Sequence, residues 1–238
     1  MVCKRKDDTP MYLDWTFLIV IPGMLLALWA QAKVKSAYAT YSRVPSGYRG
    51  TAAQAAAQIL RDSGNTQVSV QPTRGMLTDH YDPHSETLNL SEGVFDSSSV
   101  AALGIAAHEA GHAMQKKDGY SMLNLRTASV PFVNAGSSLS IPIFIAGLAL
   151  SAPKLQTVGI VLFSLTVLFA LVTLPVELDA SRRALVMLRS SGIITTPEEE
   201  QGVKKVLSAA AMTYVAAAVG AILQLVRLIA LSNRNRRD

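Results

Sequence analysis

Apolar residues along this chain collect into four blocks, residues 15–32, 130–152, 157–176 and 206–226, with mixed stretches between them. A helix rises about 1.5 Å per residue, so each block roughly matches a hydrocarbon core of about 30 Å. The pattern predicts about four transmembrane helices. Tyr12, Trp15 and Trp29 stand near the ends of the first block, where interfacial aromatics gather. Pro22-Gly23 inside that block predicts a kink. Its length favours an uncleaved anchor over a signal peptide, although Ala30-Gln31-Ala32 weakly matches a cleavage site. Pro153-Lys154 predicts a tight turn that makes blocks two and three a transmembrane hairpin. Tyr214 and Gln224 interrupt the fourth block, which reads as a transmembrane or protein-buried helix.

Between the first two blocks, residues 33–127 have the mixed pattern of a membrane-proximal folded region. Residues 51–62 are Ala-rich at helical spacing and stop at Gly64. Val68-Ser69-Val70 and Thr87-Leu88-Asn89-Leu90 alternate as strands, and residues 91–96 read as a turn. Ser97-Ser98-Ser99 offers an N-cap to a helix over about 98–117 that ends near Gly119. Residues 177–205 form a second polar stretch, with Gly192 as a helix stop and Thr195-Thr196-Pro197-Glu198 as a fresh start.

Composition sharpens this picture. Half of the 238 residues are hydrophobic and 16% are charged, against about 25% charge in soluble domains; mean hydropathy is positive. The single cysteine, Cys3, has no intramolecular partner, so no oxidising compartment is implied. The net charge of +5 comes from basic residues flanking apolar blocks: Lys4, Arg5 and Lys6, then Lys33 and Lys35, then Arg234, Arg236 and Arg237. That placement suits lipid headgroups and argues against a nucleic-acid partner.

The chemistry concentrates in His108-Glu109-Ala110-Gly111-His112, near the middle of the 98–117 helix. Two histidines four residues apart project from one helix face and can reach one zinc ion. Glu109 beside them can take a proton from a water activated by the metal and return it to a leaving amine. Ala110 and Gly111 are small enough for another element to pack close. Two hydrogen-bonded histidines on an ordinary helix are the bland alternative.

A catalytic zinc needs a third protein ligand. His80 and His84 are the remaining histidines; Glu177 and Asp179 lie where the third block meets the polar stretch. Carboxylates at a membrane helix end are expensive without a partner. The two are about 200° apart around a helix, so one of them faces the metal. The expectation is Glu177 as ligand, with Asp179 orienting a histidine or pairing with Arg182 or Arg183. An interfacial charge cluster without metal is the alternative. His80 precedes Asp82-Pro83, a turn signal; a loop followed by an edge strand at 87–90 would suit substrate binding by strand addition. His84 reads as a surface residue.

The runs LTDHYDP, LNLSEGVF, AAHEAGHAMQ, PVELDASRRAL and TYVAAA, in that order, resemble the YugP-like bacterial membrane zinc metallopeptidases over nearly the whole chain. More distantly the chain is similar to HtpX-like proteases and CAAX prenyl proteases. The resemblance implies a mainly α membrane protein with a gluzincin-like zinc-peptidase domain of helices and a small β-sheet. It also implies one zinc ion per chain on His108, His112 and Glu177, with Glu109 catalytic. The HtpX-like pattern at the third ligand is Glu-x-x-Ala-Asp; here it is Glu177-Leu178-Asp179-Ala180, which keeps Asp179 open as the alternative ligand.

The expected function is a membrane-bound endopeptidase acting on polypeptide near the bilayer. A site-2-type intramembrane protease would carry an Asn-Pro-Asp-Gly-like segment that this chain lacks, and Gln115-Lys116-Lys117 suits a membrane-proximal helix. A catalytically idle, zinc-stabilised scaffold or partner subunit is the third reading. Four spans make this a multi-pass membrane protein and put the histidine motif and Glu177 on one side. The basic residues slightly favour the cytoplasm for that side.

Overall fold

The structure, a computed structural model, describes residues 15–235; Cys3, the Lys4-Arg5-Lys6 cluster, Tyr12, Arg236 and Arg237 lie outside them. A 3-10 turn over Trp15–Ile19 leads into α1 (Ile21–Tyr41). Pro22 sits in the first turn of α1, so it starts the helix instead of kinking it. A first-turn proline lacks only an N–H that would have no helical partner.

Helix α2 (Ala52–Asp62) begins at a capping box in which Thr51 and Gln54 satisfy each other's backbone N–H groups. Then come β1 (Ser69–Thr73), β2 (His80–Asp82), β3 (Thr87–Ser91) and the short α3 (Glu92–Phe95), where the sequence reads as a turn. The helix α4 (Val100–Lys117) carries the histidine motif. It is capped by the Ser99 hydroxyl, which accepts from the Ala102 N–H at 3.2 Å, and it terminates at Gly119, whose φ of +65° needs a residue without Cβ. Three long helices complete the chain: α5 (Ser121–Ala149), α6 (Pro153–Ser190) and α7 (Pro197–Asn235).

The sheet order is β1-β3-β2, with β1 parallel and β2 antiparallel to β3. The 87–91 strand is therefore central, and not the edge expected from sequence. Leu88 and Leu90 on it are fully buried, which an edge strand facing water would not require. The two edges are β1 and β2; β2 has three residues, too few to show an alternating pattern.

Among the described residues four helices are long and apolar enough to cross a membrane: Trp15–Tyr41, Ser121–Ala149, Pro153–Ser190 and Pro197–Asn235. They carry many of the exposed large apolar side chains, among them Leu25, Phe132, Leu168 and Ile222, as lipid-facing surfaces do. The α1–α7 pair approaches closely: a Cβ on Gly23 would lie 3.1 Å from the Gly220 Cα. Small residues allow such contact where lipid offers no apolar driving force between helices.

Helix α6 has 38 residues, about 57 Å, nearly twice the thickness of a hydrocarbon core. Residues 177–205 are consequently not a separate polar stretch. The first fourteen of them continue α6, and the chain breaks only between Ser190 and Pro197. Val176, Ala180, Ala184 and Leu188, one turn apart, are fully buried; the polar residues between them occupy the other face and disguise the helix. This half of α6 and the start of α7 close a core with α2, α4 and the sheet, built on Ile59, Leu60, Leu88, Leu103, Leu188 and Val203.

Candidate metal centre

His108 and His112 lie one turn apart on α4, their rings edge to face with centroids 4.8 Å apart. Helix α6 crosses this face. Its Glu177 places Oε2 3.2 Å from His108 Nε2 and 3.5 Å from His112 Nε2. Around a tetrahedral zinc with ligand bonds of about 2.1 Å, neighbouring ligand atoms stand about 3.4 Å apart. Both separations from the carboxylate oxygen match this, and all three ligand atoms lie within 4.8 Å of one another. Two imidazole nitrogens and a carboxylate oxygen therefore fit zinc in donor type and stand close to the spacing it needs.

The close crossing depends on Gly111. A Cβ there would lie 2.6 Å from the Ala180 carbonyl oxygen, so any larger residue would push α6, and Glu177 with it, away from the histidines.

The outer ring nitrogens are also held. Ser181 Oγ lies 3.2 Å from His108 Nδ1, and Gln115 Oε1 lies 3.0 Å from His112 Nδ1. An amide oxygen can only accept, so His112 carries its proton on Nδ1 and turns the Nε2 lone pair toward Glu177. Gln115 is fully buried and donates to the Val176 carbonyl at 2.8 Å and to Asp179 Oδ2 at 3.0 Å. Asp179 also accepts from Arg182 at 2.7 Å and Arg183 at 2.6 Å. Its carboxylate thus faces Gln115 and the arginines, outside the cluster of Glu177 and the two histidines. Burial disfavours the charged imidazole of His112, but Glu177 and Glu109 outweigh it and the pKa lies above the ordinary histidine value. The pocket favours positive charge.

Glu109 is buried and with His108 lines a cavity of about 190 Å³, bounded by Tyr38, Asp79, Ile105 and Tyr214 among others. Arg126 of α5 brings Nη2 to 3.9 Å from Glu177 Oε1. His80 is exposed; its Nδ1 sits 2.8 Å from the Thr78 carbonyl, and it is not among the residues lining the cavity. Its neighbour Asp79 lines the cavity instead, fixed by the Ser91 N–H at 2.8 Å. His84 is exposed, and its N–H donates to Asp82 Oδ1 at 2.9 Å, closing the turn read at Asp82-Pro83.

Besides Asp79 and Tyr38 in the cavity wall, four residues around the histidines and Glu177 escaped the sequence reading. Gln115 and Ser181 had a usable signal, since they stand three residues after His112 and four after Glu177, on the same helix faces. Arg126 and Tyr214 arrive from α5 and α7, and nothing local marks them.

Residues 16–233 match the model of a family described as "Putative neutral zinc metallopeptidase". The chain is 44% identical over 220 residues to the Bacillus subtilis (strain 168) protein named "Putative membrane protease YugP", covering 92% of this chain and 97% of that one. No solved structure matches it. With the family model spanning both the histidine helix and the helix of Glu177, the chain belongs to this neutral zinc metallopeptidase family.

Proposed function

We propose that this protein is a membrane-bound, zinc-dependent endopeptidase of gluzincin type that hydrolyses peptide bonds of polypeptides at the bilayer surface. His108, His112 and Glu177 hold one zinc ion per chain. When bound, zinc lowers the pKa of a water molecule and polarises the substrate carbonyl. Glu109 accepts the proton of the attacking water and delivers it to the leaving amine. Asp179, through Gln115, keeps His112 in the tautomer that leaves Nε2 free. Arg126 and Tyr214 lie close to Glu177 and supply donors beside the reacting carbonyl.

The observation that carries this reading is the buried Glu109 opening onto a cavity directly beside the three-residue cluster. A zinc-stabilised scaffold would have no use for it. Glu177 stands 24 residues beyond Pro153, about 36 Å along α6, and so just past a hydrocarbon core of about 30 Å. Helix α4 is not one of the four apolar spans; both facts favour a membrane-proximal site over an intramembrane one. Substituting Glu109→Gln in the purified protein should abolish casein cleavage while zinc content stays at parent level. Cleavage by that variant as fast as by the parent refutes the proposal.

We place the site on the cytoplasmic side, where Lys33, Lys35, Arg43, Arg126, Arg182, Arg183, Lys204 and Lys205 accompany it. A Ser63→Cys variant in a Cys3→Ser background should resist an impermeant maleimide on intact cells; labelling would reverse the orientation.

A further inference from the structure

The α1–α7 pair has two sides. Val34, Tyr38, Val206 and Tyr214 face the cavity beside Glu109. On the opposite side the same helices enclose a groove of about 500 Å³, bounded by Trp29, Lys33, Thr40, Tyr41, Lys205 and Met212 among others. Its position relative to the apolar blocks is distinctive. Lys33 immediately follows the first block and Lys205 immediately precedes the fourth, so both residues stand where an apolar block meets its polar flank. Trp29, Ser208, Ala209 and Met212 of the lining belong to the apolar blocks, and Ser36, Thr40 and Tyr41 lie beyond them.

The two lysines are held over aromatic faces. Lys33 Nζ lies 5.7 Å from the centre of the Trp29 ring, and Lys205 Nζ lies 5.9 Å from that of Tyr41. Among the described residues neither forms an ion pair, whereas the adjacent Lys204 is engaged by Glu200. Among the described residues no carboxylate lines the groove. Two cations held over aromatic faces, in one groove with the hydroxyl side chains Ser36, Thr40 and Ser208 and the apolar Trp29, Ala209 and Met212, complement a phosphate that carries an acyl chain.

We propose that this groove is a binding site for an anionic phospholipid of the surrounding membrane. The headgroup phosphate lies between Lys33 and Lys205, accepting from Ser36, Thr40 or Ser208, and an acyl chain runs along Trp29, Ala209 and Met212. A basic pocket between transmembrane helices suits such headgroups. The proposal is independent of catalysis, and its test does not read proteolysis.

The purified full-length protein in detergent would be titrated with phosphatidylglycerol and, separately, phosphatidylcholine, with bound lipid counted by native mass spectrometry. One phosphatidylglycerol should bind at least about tenfold more tightly than phosphatidylcholine. Lys33→Gln with Lys205→Gln should weaken it about thirtyfold, the combined interfacial contribution of two lysines. Lys35→Gln with Arg43→Gln, which removes equal charge outside the groove, should leave it intact, and Lys33→Arg with Lys205→Arg should retain binding. Equal affinity for the two lipids overturns the proposal. So does an equal loss in the control pair, which would mean diffuse surface attraction. Displacement by millimolar inorganic phosphate alone also overturns it, since the groove would then be a site for free anions.

Discussion

Gln115 offers the sharpest test of how the site is built. Replacement by Leu keeps volume and apolar burial but removes three hydrogen bonds, to His112 Nδ1, the Val176 carbonyl and Asp179 Oδ2. The three losses are unequal. Asp179 keeps Arg182 and Arg183, and the Val176 carbonyl lies within a continuous helix that supplies its own donor. His112 Nδ1 has no such reserve. The stability loss should therefore be that of one unsatisfied buried group, about 1–3 kcal/mol. The metal should suffer more, because an unheld imidazole samples the wrong tautomer and ring angle; losing such a partner weakens metal binding about 10- to 100-fold. Thermal melting at a zinc concentration of about 100 times the parent Kd reads both effects. Zinc should stabilise the parent by about 2.7 kcal/mol and Gln115→Leu by only about 0.4–1.4 kcal/mol. A variant that is destabilised without zinc yet gains the parent's full increment with zinc would refute the orienting role and leave Gln115 a packing residue.

Two further outcomes follow from the same geometry. Gly111→Ala forces a Cβ against the Ala180 carbonyl, so it should destabilise the fold by about 1–3 kcal/mol and weaken zinc binding together; an unchanged melting curve would show that α6 yields freely. Zinc stoichiometry should fall from one per chain to none in both His108→Ala and Glu177→Ala. Full zinc in Glu177→Ala but not in Asp179→Ala would transfer the third ligand to Asp179.

The parts of this molecule that could be read from sequence are those where periodicity reports directly on environment. The four spans and the capped histidine helix are of this kind, because lipid and core each impose a long, regular pattern. The continuation of α6 beyond Val176 was not, since its buried positions recur once per turn among charged residues such as Asp179, Arg182 and Arg183. The three-residue β2 carries too little pattern to separate it from the loop around Asp82-Pro83, and its capture by β3 is a tertiary event. At the site, residues sharing a helix with the motif were within reach of spacing arguments. Arg126 and Tyr214 were not, because their approach depends on how α5 and α7 pack, and no local signal encodes that.

The unbroken passage of α6 from an apolar span into the core shared with α2, α4 and the sheet makes the candidate metal centre impossible to cut out as one segment. The chain between His112 and Glu177 is almost entirely hairpin, so a fragment ending before α5 loses Glu177. One beginning after α5 loses the histidines. Membrane anchoring in this architecture is not a tether added to a separate domain, and a soluble version would need a designed bridge from about Gly119 to the last turns of α6. The same rigid connection makes α6 a lever. A bilayer thicker or thinner than its apolar length would shift or tilt the helix, and Glu177 would then move against histidines mounted on α4, which is not one of the apolar spans.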